Sequence, residues 1–503
     1  MKPIKLVNLI VLFAISFLLS SCGGGGGCAG VVQGVNTCTA TNTVSNTTTV
    51  STDSGTATYA ASETLANLCI SPRANTADKQ GTMADEKAYL RSFINETYLW
   101  YKDVPTNLVA ANYSTPQTYF DDLKTFATTA SGAPVDQFHW SQTTESWNAA
   151  SSGIAQDYGI QWAAQASSPP RNWVVAAVVP ASPAALAGIK RGDKITSVDG
   201  IDFVNDGTSA GVAILNEGLL PTVVAPHLLG FNGNTAITLT PATITTITVQ
   251  NVQTIPTSNG NVGYFIFDTH IAKSENELIS AINQLKQSNV SDLVIDLRYN
   301  GGGLLYIASE LAYMIAGPTT TNGKIFEQLT LNDKLTASNV IFPFYSTDSS
   351  EKALPHLDLN HVTLLVSHGT ASASESIINS LRGVNVTVDL MGATTRGKPY
   401  GFVPQDNCGY TYFAIQFKGV NDKGFGDYAD GFSPTCVVAD DFSHERGDTS
   451  EALLKTALSY RLTQSCPVTA LSPQALKKQG NLQFELVRPA TQEMRILTKK
   501  PHL

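Results

Sequence analysis

Two apolar runs in the second half of the chain each stop abruptly on a turn of very small residues, and this pairing is the strongest constraint on the fold. Asp292-Leu293-Val294-Ile295-Asp296-Leu297-Arg298 reads as a buried strand and ends at Tyr299-Asn300-Gly301-Gly302-Gly303. Val362-Thr363-Leu364-Leu365-Val366 reads as another and ends near Gly369-Thr370-Ala371-Ser372-Ala373-Ser374-Glu375. Helical apolar spacing follows both turns: Leu304, Ile307, Ala308, Leu311 and Ile315 after the first, Ile377, Ile378 and Leu381 after the second. Upstream, Val262 to Phe267 reads as a strand and Ser274 to Gln287 as an amphipathic helix. Strands alternating with helices imply parallel βαβ units, whose functional groups collect beyond the carboxyl ends of the strands.

The two turns carry chemistry suited to such a position. Consecutive glycines let backbone N–H groups point outward and approach a ligand closely, as an oxyanion hole demands. Around Ser372, small neighbours leave room for a substrate backbone against the hydroxyl, and Ser374 and Glu375 suit the start of a helix whose free amides face developing negative charge. A serine hydroxyl is a poor nucleophile without an adjacent base, and a lysine serves as that base only when neutral. Lys398 has the uncharged neighbours Gly397, Pro399, Tyr400 and Gly401, with Arg396 also close in sequence. Ser374 is a competing nucleophile, read here as a helix cap, and His368, four residues before Ser372, is read as incidental.

Asp296 to Gly303, Thr370 to Glu375 and Arg396-Gly397-Lys398 together resemble, in order, the three signature blocks of the C-terminal-processing (tail-specific) serine protease family. The resemblance covers roughly Ala84 to Tyr460. It implies an α/β core of the ClpP/crotonase-like kind, with Ser372 as nucleophile, Lys398 as general base, and the backbone amides of Ala373 and Gly302 as oxyanion donors. There is one departure: many members carry a glutamine four positions after the lysine, where this chain has Phe402. Gln405 is the remaining candidate for that third role.

Residues 151–250 resemble an inserted PDZ-like, β-rich domain. Tyr158 to Trp162 and Trp173 to Val179 read as strands, Gly188 stops a short helix of small residues, and Asp199-Gly200 makes a tight turn. PDZ domains bind an extended peptide as an added strand and hold its carboxylate on loop amides. By resemblance that loop is Tyr158-Gly159-Ile160, and Gly211 to Leu219 is the groove helix. Gly207-Thr208-Ser209-Ala210-Gly211 matches a GxSxG nucleophile pattern but lacks the buried strand that pattern requires. Ser349-Ser350-Glu351-Lys352 matches SxxK in a polar loop and is set aside for want of partner motifs.

The remaining segments define the outline. Residues 1–22 read as an export signal: Lys2 and Lys5, an apolar stretch from Leu9 to Leu19, then Leu19-Ser20-Ser21-Cys22, which resembles a bacterial lipobox with Cys22 as the lipidated residue. Gly23 after that cysteine favours the outer membrane in a double-membraned host, so the expectation is an exported protein with a lipid anchor. Residues 23–75, with almost no charge from Thr37 to Thr58 and rich in Gly, Ser and Thr, read as a tether, 76–150 as a small N-terminal helical module, 251–465 as the protease domain and 466–503 as a tail. Export makes the six other cysteines, Cys28, Cys38, Cys69, Cys408, Cys436 and Cys466, candidates for three disulfides, and a Cys408–Cys436 pair would clasp the strand between them. No CxxC or HExxH supports a metal site, and no cofactor is expected. With 32 Lys+Arg against 41 Asp+Glu, a net charge of −9 and no basic stripe, nucleic acid is an unsuitable partner. The expected partners are polypeptides with free C-termini. A catalytically silent peptide-binding lipoprotein and an esterase or amidase on the same core are the alternatives.

Overall fold

The computed structural model describes residues 58–467, 484–487 and 494–497. The export signal, Cys22, Cys28, Cys38 and most of the expected tether lie outside the described residues.

The N-terminal module is built on two capped helices. Helix α1 (Met83–Thr97) begins at Thr82, whose hydroxyl accepts from Asp85 N at 3.2 Å while the Asp85 carboxylate accepts from Thr82 N at 2.8 Å. That reciprocal pair satisfies two of the amides a helix start leaves unbonded. Helix α2 (Pro116–Asp122) opens with proline, which has no N–H to waste there. Leu90, Phe93, Ile94 and Phe120 are buried between them. The module starts earlier than expected, since Cys69 is fully buried and disulfide-bonded to Cys408. Strand β1 (Trp140–Thr143) then pairs with residues 410–413, and the Trp140 ring stacks on Phe413 with centroids 3.8 Å apart.

In the PDZ region, β2 (Ile160–Ala166) and β3 (Asn172–Val178) are antiparallel, as are β4 (Ile195–Val198) and β5 (His227–Phe231). Helix α3 (Ser209–Leu219) sends Leu215 and Leu219 into a core with Trp162, Val175, Ile195 and Phe231. Ser209 is exposed on the first turn of this helix, so the GxSxG match is a helix start and not a nucleophile elbow.

The protease region follows the expected alternation: β6 (Val249–Thr257), β7 (Gly260–Phe267), α4 (Ser274–Gln287), β8 (Asp292–Asp296), β9 (Gly302–Leu304), α5 (Leu305–Thr321), β10 (His361–Val366), α6 (Ala373–Gly383), β11 (Thr387–Gly392), β12 (Tyr410–Phe413), β13 (Cys436–Val437) and α7 (Ala452–Thr463). The main sheet runs β6-β7-β8-β10-β11-β13, antiparallel in its first pair and parallel in the rest. Both faces are covered. Leu293, Ile295 and Leu364 pack with Leu278, Ile282, Leu311, Ile377 and Leu381, whereas Val294 and Leu365 pack with Leu453, Leu454 and Ala457 of α7. Burial of a strand on both faces explains the unbroken apolar runs.

Two cysteine bridges differ from the expected clasp. Cys408 lies in the hairpin that joins the N-terminal module and bonds Cys69, while Cys436 stands on edge strand β13 and bonds Cys466 beyond α7. Two more strands come from the C-terminal segment, β14 (Glu485–Val487) and β15 (Met494–Ile496).

At the opposite end of the main sheet from the two turns, His361 Nδ1 lies 3.0 Å from Asp292 and its Nε2 2.9 Å from Asp389. The Asp292 hydrogen bond, then that of Asp389, raises the imidazole pKa from 6.5 to about 9. A raised folded pKa contributes stability that is complete below the unfolded value and is lost as pH climbs through the folded one. The melting-temperature advantage of the wild type over His361→Gln should therefore be largest at pH 6 and shrink towards pH 10. A constant difference across that range would contradict the bridge.

Candidate active site

Because β8 and β10 are parallel neighbours, with Asp296 opposite Leu365, the turns at their carboxyl ends emerge side by side. They are laced together. Leu297 N donates to Leu365 O at 2.9 Å, Thr370 Oγ1 to Leu297 O at 2.8 Å, Ala371 N to Asn300 O at 3.1 Å and Ser374 Oγ to the same Asn300 O at 3.1 Å. Ser374 is thus spent on joining the turns, and the helix N-cap is Ser372 instead.

The first turn is fixed from beneath by buried charge. Arg298, fully buried, donates to both oxygens of Glu451 at 2.8 and 3.0 Å, to Asp296 at 2.9 Å and to Asp440 at 2.7 Å. Arg191 of the PDZ region reaches Asp440 at 2.6 Å and the Tyr299 hydroxyl at 2.8 Å. Burial alone would raise the Asp440 carboxyl, but Arg298 and then Arg191 hold it down at about 2. Removing one partner from such a network leaves an uncompensated buried charge, at a cost of about 3–5 kcal/mol.

Asn300 then shapes the glycine strip. Its Nδ2 donates to Phe267 O at 2.9 Å, and its Oδ1 accepts from Gly302 N at 2.9 Å and lies 3.0 Å from His270 Nδ1. Burial pushes the His270 imidazole down to about 3, so the ring is neutral and its Nδ1–H is the donor to Asn300. His270 N also donates to Gly302 O at 3.0 Å, and Leu304 N to His270 O at 2.8 Å. The expected oxyanion donor Gly302 therefore has its N–H committed to Asn300. Since His270 takes the groups on both sides, the Gly303 peptide N–H points away from His270, towards strand β15 on the other edge of the strip. Gly303 has φ +137°, and a Cβ there would stand 2.3 Å from His270 O, so no other residue fits.

The second turn presents Ser372 with φ +63° and ψ −117°, a strained conformation for a residue with a side chain. Its Oγ is buried and makes no hydrogen bond among the described residues. Ala373 begins α6, so its N–H has no acceptor one turn back within the helix. Glu375 completes the arrangement. Its fully buried carboxylate accepts from Ser372 N at 2.8 Å, Lys398 N at 2.8 Å, Gly397 N at 2.7 Å and Thr395 Oγ1 at 2.6 Å. Burial raises its pKa, while the Thr395, Lys398, Gly397 and Ser372 donors pull the other way. One carboxylate thereby holds the backbones of Ser372 and Lys398 together. Gly397 can join it because its φ is +83° and a Cβ would meet Ala429 O at 2.3 Å.

Lys398 is fully buried, with Nζ 4.4 Å from the Phe138 ring centroid and 4.6 Å from that of Phe402. Phe402 stands where many relatives would carry glutamine and packs on the lysine instead. Gln405 is directed elsewhere, towards Tyr89 and Asp406 O. Sequence reasoning gave no role to Phe138, His270 or the bridging half of Glu375. Only the last had a signal, the Ser-x-x-Glu spacing of a capping box.

The PDZ loop is closed by its own side chain. Asp157 Oδ1 accepts from Gly159 N at 2.7 Å and Ile160 N at 3.4 Å, while Tyr158 is buried in the domain core and its O accepts from Ala184 N at 3.0 Å. The expected carboxylate loop of Tyr158, Gly159 and Ile160 is thus satisfied internally in this structure.

Comparison with known proteins agrees with this architecture. Residues 261–405 match the profile of peptidase family S41, 85–141 that of the peptidase S41 N-terminal domain and 174–215 a PDZ domain. The chain thus carries a peptidase family S41 region and a PDZ domain. A carboxyl-terminal-processing protease of Picosynechococcus is 30% identical over 234 residues, 44% of this chain and 49% of the relative. The chloroplastic C-terminal processing peptidase of Tetradesmus obliquus is 28% identical over 226 residues, 42% of this chain and 45% of the relative. The chain thus spans about half the length of the curated relatives it matches. A solved structure from Bacteroides fragilis assigned to the S41 proteases shares the fold, with a TM-score of 0.60 at 22% identity over 75% of this chain and 97% of that one.

Proposed function

We propose that the chain is a serine endopeptidase in which Ser372 is the nucleophile and Lys398 its general base. The observation that carries this reading is the Glu375 carboxylate, which holds both residues' backbone amides beside an unbonded Ser372 hydroxyl. Complete burial is the setting that disfavours a charged amine, and only a neutral lysine can take the proton. Ser372 Oγ attacks the peptide carbonyl carbon as its proton passes to Lys398 Nζ. The oxyanion that forms faces the amides of Ala373 and Gly303, the protonated lysine returns the proton to the departing amine, and water then hydrolyses the ester.

The PDZ region supports a polypeptide substrate, engaged as an added strand along β2 and tethered near Ser372. Capture of a free C-terminal carboxylate requires the Asp157 side chain to leave the Gly159 and Ile160 amides. We also propose that Cys22 carries lipid and anchors the protein in the cell envelope, facing the periplasm or surface.

On an unfolded protein substrate, Ser372→Ala and Lys398→Arg should each lower the rate by roughly a thousandfold or more while melting like the wild type, because guanidinium stays protonated. A folded variant that keeps most of the rate would remove that residue from the mechanism. Fatty-acid labelling should be lost in Cys22→Ala, and undiminished labelling would refute the anchor.

A further inference from the structure

The C-terminal segment lies where a bound peptide would lie, in two places. Strand β14 adds antiparallel to β2, with Glu485 opposite Ala164, Leu486 opposite Ala163 and Val487 opposite Trp162, so it runs towards the loop at 158–160. Val487 packs on the PDZ core, and Phe484 and Leu486 pack beside Phe442. An extended chain added to β2 on the side away from β3 is the strand-addition mode of peptide binding.

Strand β15 then pairs parallel with the glycine strip: Met494 opposite Gly302, Arg495 opposite Gly303 and Ile496 opposite Leu304. With Gly302 O and Leu304 N taken by His270, the ladder runs through the N–H and C=O of Gly303, the groups that point away from His270. On its other side the segment meets the residues that follow Lys398. Ile496 bridges Phe402, Leu497 N donates to Phe402 O at 3.2 Å, and Ile496 is only 3% exposed. Strand β15 therefore lies between the strip beside Ser372 and the residues that follow Lys398.

We propose that strands β14 and β15, with Phe484 and Leu497 flanking them, act as an intramolecular pseudosubstrate, the first on the strand-addition edge of the PDZ domain and the second in the catalytic cleft, and compete there with a polypeptide. The Cys436–Cys466 disulfide ties the chain to the main sheet ahead of β14, which keeps the local concentration of the strands that follow high. Removing or dislodging the segment opens both positions at once. The docking is read from the strand pairing itself, while its inhibitory consequence rests on the endopeptidase reading.

The test compares the full chain with a chain ending at Pro467, which retains the disulfide, and with a full-length Val487→Asp/Ile496→Asp variant, whose charges oppose the apolar contacts of a half-buried and a buried side chain. The probe is a fluorescently labelled synthetic peptide of residues 484–497, followed by anisotropy. It should bind the shortened chain and the double variant roughly tenfold or more tightly than the full chain, whose sites are already filled. Both altered chains should cleave an unfolded protein about fivefold or more faster than the full chain, and added peptide should reverse the gain. If the shortened chain does not fold, the double variant alone decides. Absence of peptide binding to a folded altered chain would overturn the proposal. Peptide binding without any cleavage would uphold the docking and sink the endopeptidase reading, whereas cleavage at equal rates in all chains would do the reverse.

Discussion

The arrangement at the centre of the molecule depends on one buried carboxylate. Glu375 lies three residues after Ser372 and more than twenty before Lys398, yet one of its oxygens, Oε2, accepts the main-chain amides of both. A carboxylate with no access to water is costly unless every lone pair is used, and here two further donors, Gly397 N and Thr395 Oγ1, use the rest. The same side chain is therefore a helix cap, a stabiliser of the Ser372 strain and the clamp that gives the lysine loop its path. The loop could not reach it with a side chain at 397, which ties the Gly-Lys sequence to the glutamate.

A second constraint acts from the other turn. The β8 and β10 strands are adjacent and parallel, so the glycine strip and the Ser372 turn must emerge together, and Asn300 O accepts from both Ala371 and Ser374. Beneath them, the Arg298, Glu451, Asp440 and Arg191 network is fully or largely buried, and it runs from the PDZ region to Tyr299, next to Asn300. The network thus joins the PDZ region to the turn that opens the glycine strip.

Much of this was legible in the sequence, for a physical reason. Strands buried on both faces leave unbroken apolar runs, and turns that need positive φ leave glycine, so β8, β10, the strip at 301–303 and the turn at Ser372 announced themselves. Helix α3 was expected at Gly211 to Leu219 from the PDZ resemblance, and Ser209 was set aside because no buried strand precedes it. What sequence could not show is which amide of a glycine run points where. That is decided by Asn300 and His270, residues about thirty positions apart, which take the Gly302 amide and turn that of Gly303 to the opposite edge. Nor could it show that Asp157 fills its own loop, that Cys408 pairs with a cysteine 339 residues away, or that a C-terminal tail supplies two strands. Each of these is a long-range choice among chemically equivalent partners, and local pattern carries no information about it.

The central claim is that a buried lysine activates Ser372. Its most direct measurement is the rate at which a fluorophosphonate modifies the protein, with the modified residue located by mass spectrometry, in the wild type and in Lys398→Met. This reads the nucleophile without reference to any substrate. The account predicts a single adduct on Ser372 in the wild type, formed faster as pH rises, and its near-complete loss in Lys398→Met. An adduct on another serine, or Ser372 labelled at an undiminished rate without the lysine, would contradict it.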